Sequence, residues 1–347
     1  MRPPRCNRVR TILRDACGVE FTGAVARIEH RGLPVFEAAY GSTRADEFAR
    51  PVYCDTRFDI ASLTKLFVGT LCLRDVAAQR LALDGPLGAI LPEWKGSARE
   101  RITARMLLAH DSGMNSGADY RAIRSENVEA FALRSPLVAE PGERVVYSDL
   151  GFIALGAVLE RSGGSSLASL AAHAFRDCAQ FRPRASLRPQ IPATEYDDWR
   201  GRVQGFVHDE KAYLMGGVAG HAGLFATAAD VAWLTEAYLG PLCGRPATLL
   251  PEALVREATS EQANDPVLRR GLGWALKTSD DNSCGRFMDR SSFGHTGFVG
   301  TCVWADPVRD LQGVLLTNAV YFGRNAPVGG QALRASFYEA AVEDLGL

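Results

Sequence analysis

The sequence predicts an α+β chain of two lobes: a mainly antiparallel sheet assembled from both chain ends and flanked by helices, with an all-helical lobe inserted between them. Three observations predict it. Two β-rich runs stand near the start in VEFTGAVARIEHRGLPVFEAAYG, helical patterns dominate from about residue 81 to 264, and short β-type runs return after 265. The expected boundaries are therefore 1–80 with 265–347 for the sheet lobe and 81–264 for the helical lobe. With 347 residues, 47% of them hydrophobic and 23% charged, the chain can bury a large core.

The two N-terminal runs break at Arg31-Gly32, which reads as a hairpin turn. After a break at PVYCDTRFD, the run SLTKLFVGTLCLRDVAAQ has helical composition, weakened only by Gly69. Ser62 stands at its beginning, where a helix favours serine. ITARMLLAH, LGFIALGAVLERS and AADVAWLTEAYL carry further helical patterns, and the proline-bearing stretch from 182 to 210 reads as a long ordered loop. GLGWALK, GHTGFVGTCVWAD and LQGVLLTNAVYF follow as neighbouring antiparallel strands, and GGQALRASFYEAAVEDLGL as a closing helix.

Composition excludes several classes. With 39 basic and 40 acidic residues the net charge is -1, which gives no reason to expect nucleic acid or an anionic membrane as partner. The basic start MRPPRCNRVR is followed by Arg14, Asp15 and Glu20, so no apolar signal core forms, and no later stretch is long and apolar enough to span a membrane. The expected location is the cytoplasm. Eight scattered cysteines without a CxxC pair read as reduced, mostly buried thiols. His208, Asp209, Glu210 and His221 raise the question of a metal, but the carboxylates are adjacent in sequence and no H-x-x-x-H face exists. Neither metal nor cofactor is expected.

The chemistry centres on Ser62-Leu63-Thr64-Lys65. A serine hydroxyl is a weak nucleophile and needs a proton-handling group within hydrogen-bond reach. Residues three apart share a helix face, so Lys65 points its amine at Ser62, and the positive helix end favours a developing oxyanion. On its own, S-x-x-K is a weak signal that a capping serine and a solvated lysine would satisfy equally. Its companions change that: ASLTKLF is followed in order by ITARMLLAHDSGM, PGERVVYSDLGFIALGAVLE, GGVAGHAGLFATAADVAWL and FGHTGFVGT.

Together these segments resemble the class C β-lactamases, the related D-alanyl-D-alanine carboxypeptidases and the β-lactamase-fold esterases, from about Phe21 to about Asn318. The resemblance implies the β-lactamase/transpeptidase-like fold, with the site between the two lobes. It implies that Ser62 is acylated, that Lys65 lowers the proton affinity of Ser62, and that Tyr147 carries a proton to the leaving group. The backbone N–H groups of Ser62 and Phe298 would form the oxyanion hole. His295, Thr296 and Gly297 would edge the site on a strand, and Asp149 would face the substrate. His208 and His221 become candidates for a substrate wall, while His110 reads as a structural residue ordering the turn after its helix.

Two departures from the family pattern bear on substrate. Tyr147-Ser148-Asp149 carries a carboxylate where the β-lactamases have an amide, and His295-Thr296-Gly297 replaces Lys-Thr-Gly, exchanging a fixed charge for a group titrating near neutrality. Neutral or cationic acyl groups are therefore the expected substrates, subject to any arginine brought in from a distant segment. The leading function is hydrolysis or acyl transfer on a small ester or amide. An exported β-lactamase or cell-wall peptidase acting on β-lactam-like substrates is the second reading. A silent binding or sensor module is the third, which the presence of Ser62, Lys65 and Tyr147 together argues against.

Overall fold

The computed structural model describes residues 6–115, 117, 119–175, 178–263, 265, 269–324 and 329–347. Its central feature is the hairpin of β1 (Gly23–His30) and β2 (Leu33–Gly41), closed by Arg31 and Gly32 at φ 55° and 71°. Both turn residues have the positive φ that a two-residue turn between right-twisted strands requires. Four short strands follow outside the main sheet: β3 (Phe58–Asp59), β4 (Ala179–Phe181) and the pair β5 (Tyr196–Asp197) and β6 (Gly201–Arg202). Next come β7 (Leu224–Ala226), which pairs with both β3 and β4, and then β8 (Ala275–Leu276), β9 (Phe293–Thr296), β10 (Cys302–Asp306) and β11 (Leu311–Thr317). The six-stranded antiparallel sheet runs β2-β1-β11-β10-β9-β8, so the last strand of the chain inserts beside the first.

The helices are α1 (Asn7–Ala16), α2 (Thr64–Ala77), α3 (Ala104–Ala109), α4 (Tyr120–Ile123), α5 (Val128–Arg134), α6 (Asp149–Gly163), α7 (Leu167–Phe175), α8 (Glu210–Leu214), α9 (Ala228–Leu242), α10 (Glu252–Ala258) and α11 (Gly329–Leu345). Helices cover both faces of the sheet, which is why β10 and β11 are buried at every residue instead of alternating with polar positions. Val25, Val303, Val314 and Leu316 pack toward Val231, Leu234 and Tyr238 of α9, whereas Ala26, Cys302, Trp304 and Leu315 face Val9 and Leu13 of α1 with Phe337 and Tyr338 of α11. Residues 228–242, grouped by sequence with the helical region, thus lie on the sheet.

Helix α1 is a second feature beyond the sequence reading, which assigned no element to the basic start. Val9, Leu13 and Ala16 recur at helical spacing, and that single apolar edge docks the segment on α11 while its arginines face outward. At the centre, every residue of α2 from Thr64 to Leu73 is buried, the pattern of a helix enclosed on all sides. All eight cysteines are free thiols. Among the described residues no helix is long and apolar enough to cross a membrane.

Candidate active site

The start of α2 is set by strand pairing. β3 pairs with β7, and the Ile60 N–H extends that pairing to the Leu224 carbonyl at 3.1 Å. Ala61 then turns with φ 46°, a strained conformation for a residue with a Cβ, and residues 61–63 form one 3-10 turn leading into α2. The buried carboxylate of Asp59 holds this turn, accepting from the Ala61 N–H at 2.8 Å and, on its other oxygen, from the His208 N–H at 2.7 Å. Ser62 does not cap the helix, because no side-chain capping bond forms there. Its hydroxyl is left for Lys65, whose Nζ donates to Ser62 Oγ at 3.0 Å.

Lys65 is fully buried, so the solvated-lysine alternative fails. Besides Ser62, its ammonium donates to Asp149 Oδ1 at 2.8 Å and to the His221 carbonyl at 3.3 Å, and it lies 4.8 Å from the centre of the Tyr147 ring. Burial works to lower the pKa of Lys65, but Asp149 and Tyr147 outweigh it and the net direction is upward. Lys65 therefore rests as an ammonium. Tyr147 and Asp149 are delivered by the start of α6, where Ser148 caps the helix by accepting from the Gly151 N–H at 2.9 Å. His110, at a left-handed helix end, accepts the Ser148 N–H on Nδ1 at 3.0 Å, which gives it the structural role read from the sequence.

The 208–221 segment wraps the base of the site. Lys211 Nζ lies 3.4 Å from Asp149 Oδ2 and 3.2 Å from Asp209 Oδ2, and His221 Nε2 lies 2.7 Å from Asp209 Oδ1. Burial opposes ionisation of Asp149, yet Lys65, His221 and Lys211 hold its pKa below the usual range. Donor atoms of Asp149, Asp209 and His221 lie within 4.8 Å of one another, close enough to hold a metal ion. They do not fit one, because each carboxylate is already ion-paired to an ammonium that a divalent cation would have to displace or face. His221 is buried and holds Asp209, so it does not line the cleft as a substrate residue. His208 does line it, stacked on Phe298 at 5.5 Å between ring centres.

Behind this wall stands a second charge cluster that sequence reasoning missed. Glu195 faces His208 at 3.0 Å, Arg200 at 3.2 Å and Arg324 at 2.6 Å, and Arg324 also pairs with Glu210. Burial alone would raise the pKa of Glu195, but His208 and Arg324 bring it down to about 2.

Strand β9 forms the opposite edge, with His295, Thr296 and Gly297 on a cleft of about 740 Å³ that also exposes Ser62, Tyr147 and Asp149. Gly297 passes so close to Ile60 and Thr301 that a Cβ would overlap the Thr301 hydroxyl, which explains the glycine. Phe298 follows at the rim, 59% exposed. His295 does not titrate near neutrality: burial first, then Arg270 and Lys65, bring its pKa down to about 3. Arg270 lies over the Tyr147 ring, 5.2 Å from its centre, and Arg334 donates to the Gly297 carbonyl at 2.8 Å. The sequence-based preference for neutral or cationic substrates therefore loses its basis. Asp149 is neutralised by two lysines, His295 is uncharged at neutral pH, and arginines from distant segments line the cleft. Their residue types were visible in the sequence, but no spacing relation linked them to Ser62.

Comparison with known proteins agrees with this architecture. The chain is 30% identical over 348 residues to the N-acetylmuramyl-L-alanine amidase of Bacillus subtilis (strain 168), covering 86% of this chain and 77% of the relative. Its fold superposes on EstCE1, a hydrolase with promiscuous acyltransferase activity, with a TM-score of 0.76 at 21% identity over 96% of this chain and 98% of that one. A class C β-lactamase from Rhodobacter sphaeroides superposes with a TM-score of 0.74 at 19% identity, over 98% and 99% of the two chains. At these identities the two structures speak for the fold alone. The Beta-lactamase family profile matches residues 15–336, and with the sequence relative this establishes that the chain belongs to the β-lactamase family, whose members are serine hydrolases.

Proposed function

We propose that this protein is a serine hydrolase that forms an acyl-enzyme on Ser62 and acts on a small ester or amide. The observation that carries this reading is the buried Lys65 ammonium 3.0 Å from Ser62 Oγ in the 740 Å³ cleft. In acylation, Ser62 Oγ bonds to the substrate carbonyl carbon and the bond from that carbon to the leaving oxygen or nitrogen breaks. The Ser62 proton passes by way of Tyr147 to the leaving atom. Lys65, donating to Oγ, stabilises the negative charge that develops there. The Ser62 and Phe298 N–H groups receive the oxyanion. Water, or an acceptor alcohol or amine, then attacks the ester carbon and releases Ser62. Kinship with an amidase at 30% identity supports an amide as the bond cleaved.

The test is intact-mass analysis after exposure to an uncharged fluorophosphonate. Wild type gains one adduct, and Ser62→Ala gains none while keeping its thermal melt. Labelling of the Ser62→Ala protein to the same extent sinks the assignment. Lys65→Ala is expected to slow labelling nearly as much, since members of one catalytic unit do not act additively.

A further inference from the structure

Asp59 is buried, and among the described residues no basic side chain lies within ion-pair distance of it. Burial pushes its pKa up, and the His208 and Ala61 N–H groups, then the His208 ring, work against that. A carboxylate withdrawn from water without a cation in contact is costly unless N–H groups satisfy it. Here two do, from segments 149 residues apart in the chain, and the two bonds lead to different sides of the cleft. The Ala61 N–H, 2.8 Å from Oδ1, belongs to the strained turn at φ 46° whose next residue is Ser62. The His208 N–H, 2.7 Å from Oδ2, belongs to the residue whose ring stacks on Phe298 at an interplanar angle of 22°. That stack is itself clamped, because Glu195 holds both His208 and Arg324, and the Arg324 guanidinium lies over the same Phe298 ring, 5.7 Å from its centre.

Resting on the acyl-enzyme reading above, in which the Ser62 and Phe298 N–H groups receive the oxyanion, we propose that Asp59 is a positioning residue that sets the spacing of these two donors. One carboxylate oxygen fixes the turn that carries the Ser62 N–H. The other fixes the 208 segment, and the His208 ring passes that restraint to Phe298. Phe298 needs a restraint of its own, because it stands at the rim in a loop flanked by Gly297 and Gly300. The direct ties of that loop lie at its ends, where the Thr301 hydroxyl donates to the Ile60 carbonyl at 3.2 Å and the Gly297 N–H donates to the Thr301 carbonyl at 2.7 Å. Asp59 touches no reacting atom. The negative oxygen forms only as the carbonyl is attacked, so a restraint on its donors acts on the rate of acylation and not on substrate binding.

The test uses the full chain with 4-nitrophenyl acetate and 4-nitrophenyl thionoacetate, in which the carbonyl oxygen is replaced by sulfur, a larger and weaker hydrogen-bond acceptor. Acylation is followed by nitrophenolate release before the steady state. Wild type is expected to prefer the oxygen ester. In Asp59→Asn the amide keeps one acceptor and turns its NH2 group on the other N–H. The oxygen-to-thiono ratio is therefore expected to fall about 10–100-fold, the effect of displacing a donor without removing it, with the loss in the maximal acylation rate and not in KM. His208→Ala keeps the backbone N–H on Asp59 but removes the stack, so it lowers the ratio too, and the double variant falls short of the product of the two losses because both act along one path. An unchanged ratio in Asp59→Asn, an equal loss on both esters, or losses that multiply in full in the double variant overturns the proposal. If Asp59→Asn does not fold, the ratio is read in His208→Ala, where a value equal to wild type also overturns it. Fluorophosphonate labelling separates the two claims: a labelled wild type with a ratio that Asp59→Asn leaves unchanged sinks only Asp59, and a wild type that neither labels nor releases nitrophenolate sinks the acyl-enzyme reading itself.

Discussion

Replacing Asp149 by asparagine removes one negative charge from the base of the cleft with little change of shape. At the observed 2.8 Å, and with an effective dielectric near 20, the Asp149–Lys65 attraction is about 6 kcal/mol before the costs of desolvating both partners are counted. Breaking a buried pair by removing one partner typically costs about 3–5 kcal/mol, because the remaining charge is left alone in a poor solvent. Lys65 can escape part of that cost by releasing its proton. Burial, now opposed chiefly by Tyr147, pulls its proton affinity down, and each 1.4 kcal/mol lost is about a tenfold weaker hold on the proton. The other titratable groups around it are Lys211, Asp209 and His221 behind Asp149, His110 buried behind Tyr147, and His295 and Arg270 across the cleft. His110 and His295 are both neutral at working pH, so they do not mask the change.

If the Lys65 ammonium supports Ser62, as proposed, the alkaline limb of kcat/KM for an uncharged ester moves toward neutrality in Asp149→Asn. Activity at pH 9 then falls at least about tenfold more than activity at pH 7. The assay is a pH series on the uncharged ester, with pre-steady-state acylation measured to confirm that chemistry limits the rate. Two results refute the reasoning. Superimposable alkaline limbs would mean that Asp149 does not govern Lys65, and a variant faster than wild type at pH 7 would make neutral Lys65 the base.

Further outcomes follow from neighbouring contacts. Lys211→Met leaves Asp149 with Lys65 as its remaining lysine, so the alkaline limb moves the opposite way, and the double variant with Asp149→Asn lies closer to wild type than Asp149→Asn alone in the same pH series. Glu195, whose pKa is depressed to about 2 in the fold, contributes stability that is present above its unfolded value and lost as pH falls from about 4.5 toward 2. Glu195→Gln should therefore remove up to about 3 kcal/mol at neutral pH and flatten that acid decline in urea melts, where an unchanged decline would count against the cluster. Gly297→Ala places a Cβ against Thr301 and 2.9 Å from the Ile60 carbonyl oxygen, so β9 must shift away from the turn that carries Ser62. Overpacking of this kind costs about 1–3 kcal/mol, and labelling of Ser62 should slow far more than in a Gly163→Ala control, whose added Cβ meets only the Leu170 side chain at 3.4 Å.

Much of this was legible before any coordinates. Arg31-Gly32 announced the hairpin, the return of β-type runs after 265 announced a sheet shared by both chain ends, and the three-residue spacing of Ser62 and Lys65 announced their contact. Local spacing is readable because helix and strand periodicity fix it. What escaped was either short or non-local. Helix α1 depends on three small apolar contacts that become visible only once α11 is in place. Asp59 looked like any loop acid, yet it ties the turn that carries Ser62 to the 208 segment, 149 residues away in the chain.

Charge was the least legible property, and for a physical reason. Asp149 and His295, read as isolated substitutions, pointed to a cleft more negative by up to two charges than one built on amide and lysine. Each inference assumed that a residue keeps in the fold the charge it carries in water. Burial breaks that assumption for His295, whose neutral form is favoured once water is excluded and Arg270 stands nearby. Ion pairing breaks it for Asp149, whose carboxylate stays ionised but projects little field into the cleft, because Lys65 and Lys211 flank both of its oxygens. The field a substrate meets is thus set by whichever charge the fold leaves without a partner. Beside Tyr147, Arg270 has no carboxylate of a described residue within ion-pair distance and only Asp265 acting on it from farther away, and its sign is opposite to the one that the two sequence departures suggested.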